Sequence, residues 1–178
     1  MKLWRVAAQT RTYAADDLSG GGAAKFPGRW NDDKEPIVYC APTIAIAVLE
    51  TVAHIDDASL PLNRFLIEIE VPDPVWALRE EIGVPKLPPT WSAIPAGRAS
   101  VQIGSGWLSS LRSPILLVPS VVIPEEWAAL INPKHVEAAK ITAKVVRPFV
   151  FSTCRVDLST RSTFHQNMSK KSEKIDMS

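Results

Sequence analysis

Fifteen prolines against eight glycines set the first limit on what this chain can fold into. Proline removes a backbone donor and clashes with the preceding helical turn, so it ends helices and stays out of central strands. Here the prolines separate short apolar runs, at residues 37–40, 65–71 and 115–118, which favours several short strands over a helical bundle. With 178 residues, 46% of them hydrophobic, one sizeable core can be buried in one domain. The expectation is an α+β fold, a compact mixed sheet of short strands flanked by a few helices, over residues 1–158. After Leu158 the composition turns to Ser, Thr, Lys and Asn, and residues 159–178 read as a disordered tail. No internal repeat or heptad interrupts the body of the chain.

A formal charge of +1, from 20 basic and 19 acidic residues, gives no bulk attraction to nucleic acid or to an anionic membrane. Any anion site must be local. Cys40 and Cys154 lie far apart without metal-type spacing and read as ordinary thiols. No apolar leader follows Lys2, and no run approaches the roughly 18 apolar residues of a membrane span. The expected location is therefore the cytoplasm, with no metal site.

Residues 3–8 alternate as a first strand, with Arg5 among apolar neighbours. The loop at 13–27 carries Gly20-Gly21-Gly22, yet GxxxxGK[ST] is absent and no helical run follows as a dinucleotide fingerprint requires. Gly28-Arg29-Trp30-Asn31 then leads through a polar turn into the strand 37–40, which places Tyr39 near its end. Thr43 is the expected N-cap of a helix over 44–55, apolar nearly all round and hence buried on most faces. Glu50 is the one carboxylate in that apolar run. Desolvating it costs several kcal/mol unless something pairs with it; His54 at i+4, Arg29 across the turn, or solvent are the alternatives.

Residues 65–71 alternate as a half-buried strand, with Glu68 and Glu70 on its solvated face. A proline-rich stretch from 72 to 95 places Trp76 and Trp91 on the core. A helix over 98–111 tolerates Gly104 and Gly106 and stops before the buried strand 115–118. Ser120 follows at the strand end, where ligand clefts gather in α/β folds; without G-x-S-x-G it is no nucleophile elbow. Residues 121–123 continue extended, 124–126 open a short helical turn, Asn132-Pro133 is a turn, His135 is a surface residue, and 145–151 is the last strand.

Leu3-Trp4-Arg5, Gly28-Arg29-Trp30-Asn31, Val38-Tyr39, Leu49-Glu50 with His54, Trp91-Ser92, Val118-Pro119-Ser120 and Asn132-Pro133 before His135 together resemble the RES-domain toxins of Xre–RES toxin–antitoxin pairs. The resemblance implies a fold like ADP-ribosyltransferase catalytic domains and cleavage of the nicotinamide–ribose bond of NAD, which serves as substrate with no further cofactor. It makes Arg29, Tyr39, Glu50 and Ser120 the catalytic set. Glu50 would stabilise the oxocarbenium-like ribose, Arg29 assisted by Arg5 would anchor the diphosphate, Tyr39 would stack on the nicotinamide side, and Ser120 would donate a hydrogen bond nearby. Trp30 and Asn132 complete the substrate-binding set. An Xre-type antitoxin and a homodimer are the implied partners, with no direct nucleic-acid or membrane contact. The alternatives are a protein ADP-ribosyltransferase that modifies a metabolic enzyme, and a non-catalytic partner-binding module.

Overall fold

The computed structural model describes residues 1–53 and 63–151; His54, Cys154 and the C-terminal tail lie outside them. Two sheets hold the strands. Strands β1 (Lys2–Ala8), β3 (Arg64–Glu70) and β7 (Thr142–Phe149) form an antiparallel sheet in the order β1-β3-β7. Strands β2 (Val38–Cys40), β4 (Glu80–Glu81), β5 (Ile115–Pro119) and β6 (Trp127–Ile131) form the other, ordered β2-β6-β5-β4, with β4 parallel to β5. Reciprocal backbone bonds of 2.8 Å between Trp4 and Ala41 join the two sheets. The α+β expectation holds, and its mixed sheet is the four-stranded one.

Strand β5 explains where the core sits. All five of its residues are buried, because both faces of the central strand are covered, so it reads as a continuous apolar run instead of an alternation. Ile115 and Leu117 pack with Leu3, Val38, Ile67 and Ile69. Leu116 and Val118, pointing the other way, pack with Trp30, Leu87, Trp91 and Trp107. Trp91 is buried and Trp76 packs partly against the core, as the sequence suggests.

Helix α1 (Gly21–Lys25) follows Gly20, whose φ of 71° is left-handed; the sequence reading had a loop without helix there. Helix α2 (Ile44–Ala53) starts as expected, the Ile46 amide donating to Thr43 Oγ1 at 3.2 Å. Its expected burial on most faces fails: Ile46 and Ala47 are buried, whereas Ile44, Leu49 and Val52 are 37% to 46% exposed. The helix packs one narrow stripe against Ala41, Trp4 and Ile123. Helix α3 (Asp73–Ala77) is a single short turn, and α4 (Arg98–Ser110) matches its expected span. Gly104 does more than tolerate helix: a Cβ there would overlap the Trp30 carbonyl oxygen and lie 2.6 Å from its carbonyl carbon.

Three further local expectations change. Residues 121–123 bend instead of continuing extended, since Ser120 Oγ accepts the Val122 and Ile123 amides. Residues 124–126 make the expected turn only as a single hydrogen-bonded one, the Glu126 amide donating to the Ile123 carbonyl at 2.9 Å, and lead straight into β6, a strand whose alanines hide it in the sequence and which pairing with β2 and β5 decides. Glu68 is not on a solvated face: it is 7% exposed, held by Lys144 at 2.9 Å and Lys2 at 3.1 Å.

Candidate functional site

One cleft gathers residues from sequence-distant elements. Arg29, Trp30, Tyr39, Glu50, Pro119, Val121 and Ala128 line a shallow cleft that opens to solvent. The loop before β2 supplies Arg29 and Trp30, β2 supplies Tyr39, α2 supplies Glu50, and the end of β5 with the bend after it supplies the far wall.

Glu50 is half-buried and accepts from the Ser120 hydroxyl, Oγ to Oε1 2.5 Å. Ser120 itself is fully buried. Its amide donates to the Glu126 carbonyl at 2.8 Å and its oxygen accepts two amides. The serine is thereby held at its amide and its hydroxyl, whose one mobile proton goes to Glu50.

Arg29 is 8% exposed. Its Nη1 donates to the carbonyls of Trp91 at 2.7 Å and Ala93 at 3.0 Å, which straps the segment after the Trp91 turn to the cleft. Its Nε is buried without a hydrogen-bond partner among the described residues. Burial lowers the Arg29 pKa, and Glu50, with Tyr39 after it, opposes that; the guanidinium and the carboxylate thus sense one another across the cleft.

Tyr39 donates from its hydroxyl to Asn31 Oδ1 at 2.8 Å and accepts the Trp30 amide at 3.0 Å. Burial raises its pKa, so the phenol stays neutral. Gly28 makes room for it: a Cβ there would lie 2.6 Å from the Tyr39 oxygen. Trp30 is buried and stacks on Trp91, centroids 6.3 Å apart and planes 24° apart.

The structure therefore brings Arg29, Trp30, Tyr39, Glu50 and Ser120 together. Arg5 is placed elsewhere: its Nη1 donates to the Asp17 carbonyl at 3.2 Å, and burial lowers its pKa against the opposing effects of Cys40 and Asp17. It is not among the residues lining the cleft. Asn132 is fully buried, donating to the Leu108 carbonyl at 2.9 Å and accepting the Lys134 amide at 3.1 Å, a tie between α4 and the turn after β6. Cys40 is a free, buried thiol pushed up to about 12 by burial, which Arg5 opposes. Among the described residues no group of three His, Cys, Asp or Glu side chains could hold a metal ion, and no helix is long and apolar enough to cross a membrane.

Two contributions escape a reading of the sequence. Asn31 sits inside a recognised motif, yet only the fold shows it as the hub of the loop. The carbonyls of Trp91 and Ala93 leave no mark in a sequence at all.

This two-sheet α+β fold is shared with a chain of a solved toxin–antitoxin complex. A RES domain model matches residues 2–152, and the chain belongs to that family. A protein named Prs ADP-ribosylating toxin from a Sphingobium species is 52% identical over 149 residues, covering 84% of this chain and 92% of that protein. Toxin Res from Pseudomonas putida is 36% identical over 152 residues, covering 83% and 97%. Toxin Res from Yersinia enterocolitica is 34% identical over 153 residues, covering 85% and 96%. A chain in the solved M. tuberculosis MbcT–MbcA toxin–antitoxin complex shares the fold, with a TM-score of 0.61 at 18% identity over 83% of this chain and 84% of that one.

Proposed function

We propose that this chain is the toxin of a toxin–antitoxin pair and acts by breaking the nicotinamide–ribose bond of NAD in the cleft of Glu50. The observation that carries this reading is the carboxylate fixed by Ser120 at 2.5 Å, facing an open cleft that it shares with a buried arginine. The cleft opens to solvent between Arg29, Tyr39 and Glu50, so a ligand arriving from solution can reach the carboxylate.

The C1′–N bond breaks with its electron pair leaving on nicotinamide, which becomes neutral. Positive charge builds on the ribose, and a preorganised carboxylate stabilises it more than it stabilises the ground state. An acceptor oxygen or nitrogen then bonds to C1′ and gives up its proton. Arg29 has two donors already spent on carbonyls, so its part is to add positive potential toward the phosphates and to hold the cleft wall.

A second reading concerns the acceptor. The 52% identical relative is named as an ADP-ribosylating toxin, which favours transfer to a protein over transfer to water or phosphate. An antitoxin is the expected partner, as the toxin–antitoxin complex that holds the structural neighbour suggests.

The deciding experiment incubates antitoxin-free protein with NAD, with and without phosphate and a cell extract. Nicotinamide release supports the reading, and intact NAD in every arm overturns it. Free ADP-ribose or its phosphate with no mass adduct on protein eliminates the transferase; an adduct of one ADP-ribose establishes it.

A further inference from the structure

We propose that Asn31 is a positioning residue for Tyr39: its buried carboxamide fixes the tyrosine hydroxyl, and thereby the ring that lines the cleft, in the orientation that receives substrate. The inference rests on the reading of the cleft as an NAD site.

Asn31 is 0% exposed and all its hydrogen-bonding capacity is used. Its Oδ1 accepts the Gly28 amide and the Tyr39 hydroxyl, each at 2.8 Å. Its Nδ2 shares its two hydrogens among the carbonyls of Ala23 at 2.9 Å, Glu35 at 3.0 Å and Asp32 at 3.1 Å. One side chain therefore ties α1, the turn before β2 and the tyrosine into a single unit. Aspartate would set a carboxylate against three carbonyl oxygens, and leucine would leave five hydrogen bonds of a part-buried cluster unmade.

At the Tyr39 hydroxyl both directions are also spent, one on Asn31 and one on the Trp30 amide. The oxygen thus has no proton to offer a ligand, and what the tyrosine presents to the cleft is its ring. A ring that contacts the substrate equally before and during bond breaking contributes uniform binding, whose loss raises KM and leaves kcat nearly unchanged. A purely structural asparagine behaves otherwise: its loss reduces the folded, active fraction, so apparent kcat falls and KM stays.

The test measures kcat and KM for nicotinamide release by the full chain with Asn31→Ala, Tyr39→Phe and the double variant. Each single variant is expected to raise KM by roughly tenfold, and the double by no more than either, because both break one link. Multiplying effects, or a fall in kcat at constant KM for Asn31→Ala, would overturn the proposal. Should Asn31→Ala fail to fold, Tyr39→Phe decides alone: a raised KM in a folded protein supports the link, and an unchanged KM overturns it. Should the wild type release no nicotinamide, the functional reading falls and a crystal structure of Asn31→Ala still judges the link: a Tyr39 ring turned from its place in the cleft supports it, and a ring left in place overturns it.

Discussion

The Ser120 hydroxyl donates to Glu50 Oε1 at 2.5 Å across a separation of 70 residues, while its oxygen accepts the Val122 and Ile123 amides at 3.2 and 3.1 Å. A single hydroxyl therefore closes the bend after β5 and aims a carboxylate carried by α2. Removing it with Ser120→Ala leaves two amides and a carboxylate short of a partner, so stability should fall by about 1–3 kcal/mol. Nicotinamide release should drop as well, beyond the loss of folded protein. Urea unfolding beside the release assay checks both; full turnover in the variant would confine the serine to turn formation.

Glu50→Gln keeps the shape and an oxygen that can accept from Ser120, and removes only the negative charge. Catalysis resting on that charge should fall by at least about 100-fold with the unfolding midpoint little changed. Nicotinamide release by a folded Gln variant at wild-type rate takes Glu50 out of the reaction.

Arg29→Lys tests the strap. Lysine is one atom shorter, so its ammonium stops short of the place from which Nη1 donates to both the Trp91 and Ala93 carbonyls. The loss should be about 2 kcal/mol of stability, with faster amide exchange in the 91–97 segment by mass spectrometry. Unaltered exchange there would mean that the segment holds itself.

Two glycines of α4 should respond with opposite sign. Gly104→Ala drives a Cβ into the Trp30 carbonyl and should destabilise by about 1–3 kcal/mol, outweighing the gain in helix propensity. Gly106 has nothing within 4 Å of a built Cβ, so Gly106→Ala should stabilise by about 0.5–1 kcal/mol. Thermal unfolding of the two variants side by side reads the difference, and equal shifts would contradict the packing.

Glu68 supplies a pH dependence. Lys144, and after it Lys2, hold its carboxyl below the usual range, and the same contact raises the Lys144 pKa. In the acid range the unfolded chain binds the proton that the native carboxylate resists, so this stabilisation is complete above the ordinary carboxylate pKa and disappears as pH falls through the lowered one. At the alkaline end it is present below the ordinary lysine pKa and is lost as pH rises through the raised one. Unfolding of Glu68→Gln across pH should show a deficit near neutrality that closes in acid; a constant deficit would leave the ion pair without a part.

How much was legible follows from what each feature depends on. Strands β1, β3 and β5, the Thr43 cap and the span of α4 follow from local pattern, and the sequence reading places them. The strand β6 escapes it because Ala128 and Ala129 carry weak strand preference and only the neighbours β2 and β5 make them a strand. Burial of α2 was overestimated for the same kind of reason: an apolar helix states how much it could bury, and the surrounding elements decide how much it does.

The sequence by itself determined the residue types of the cleft and their family: an arginine, a tyrosine, a glutamate and a serine in ordered motifs. Only the tertiary structure decided their duties. It set Ser120 against Glu50, spent two donors of Arg29 on carbonyls, moved Arg5 and Asn132 outside the cleft lining, and made Asn31 the support of Tyr39. The physical reason is that hydrogen bonds act over about 3 Å, and a chain records in its order neither which atoms come that close nor which of their donors remain for a substrate.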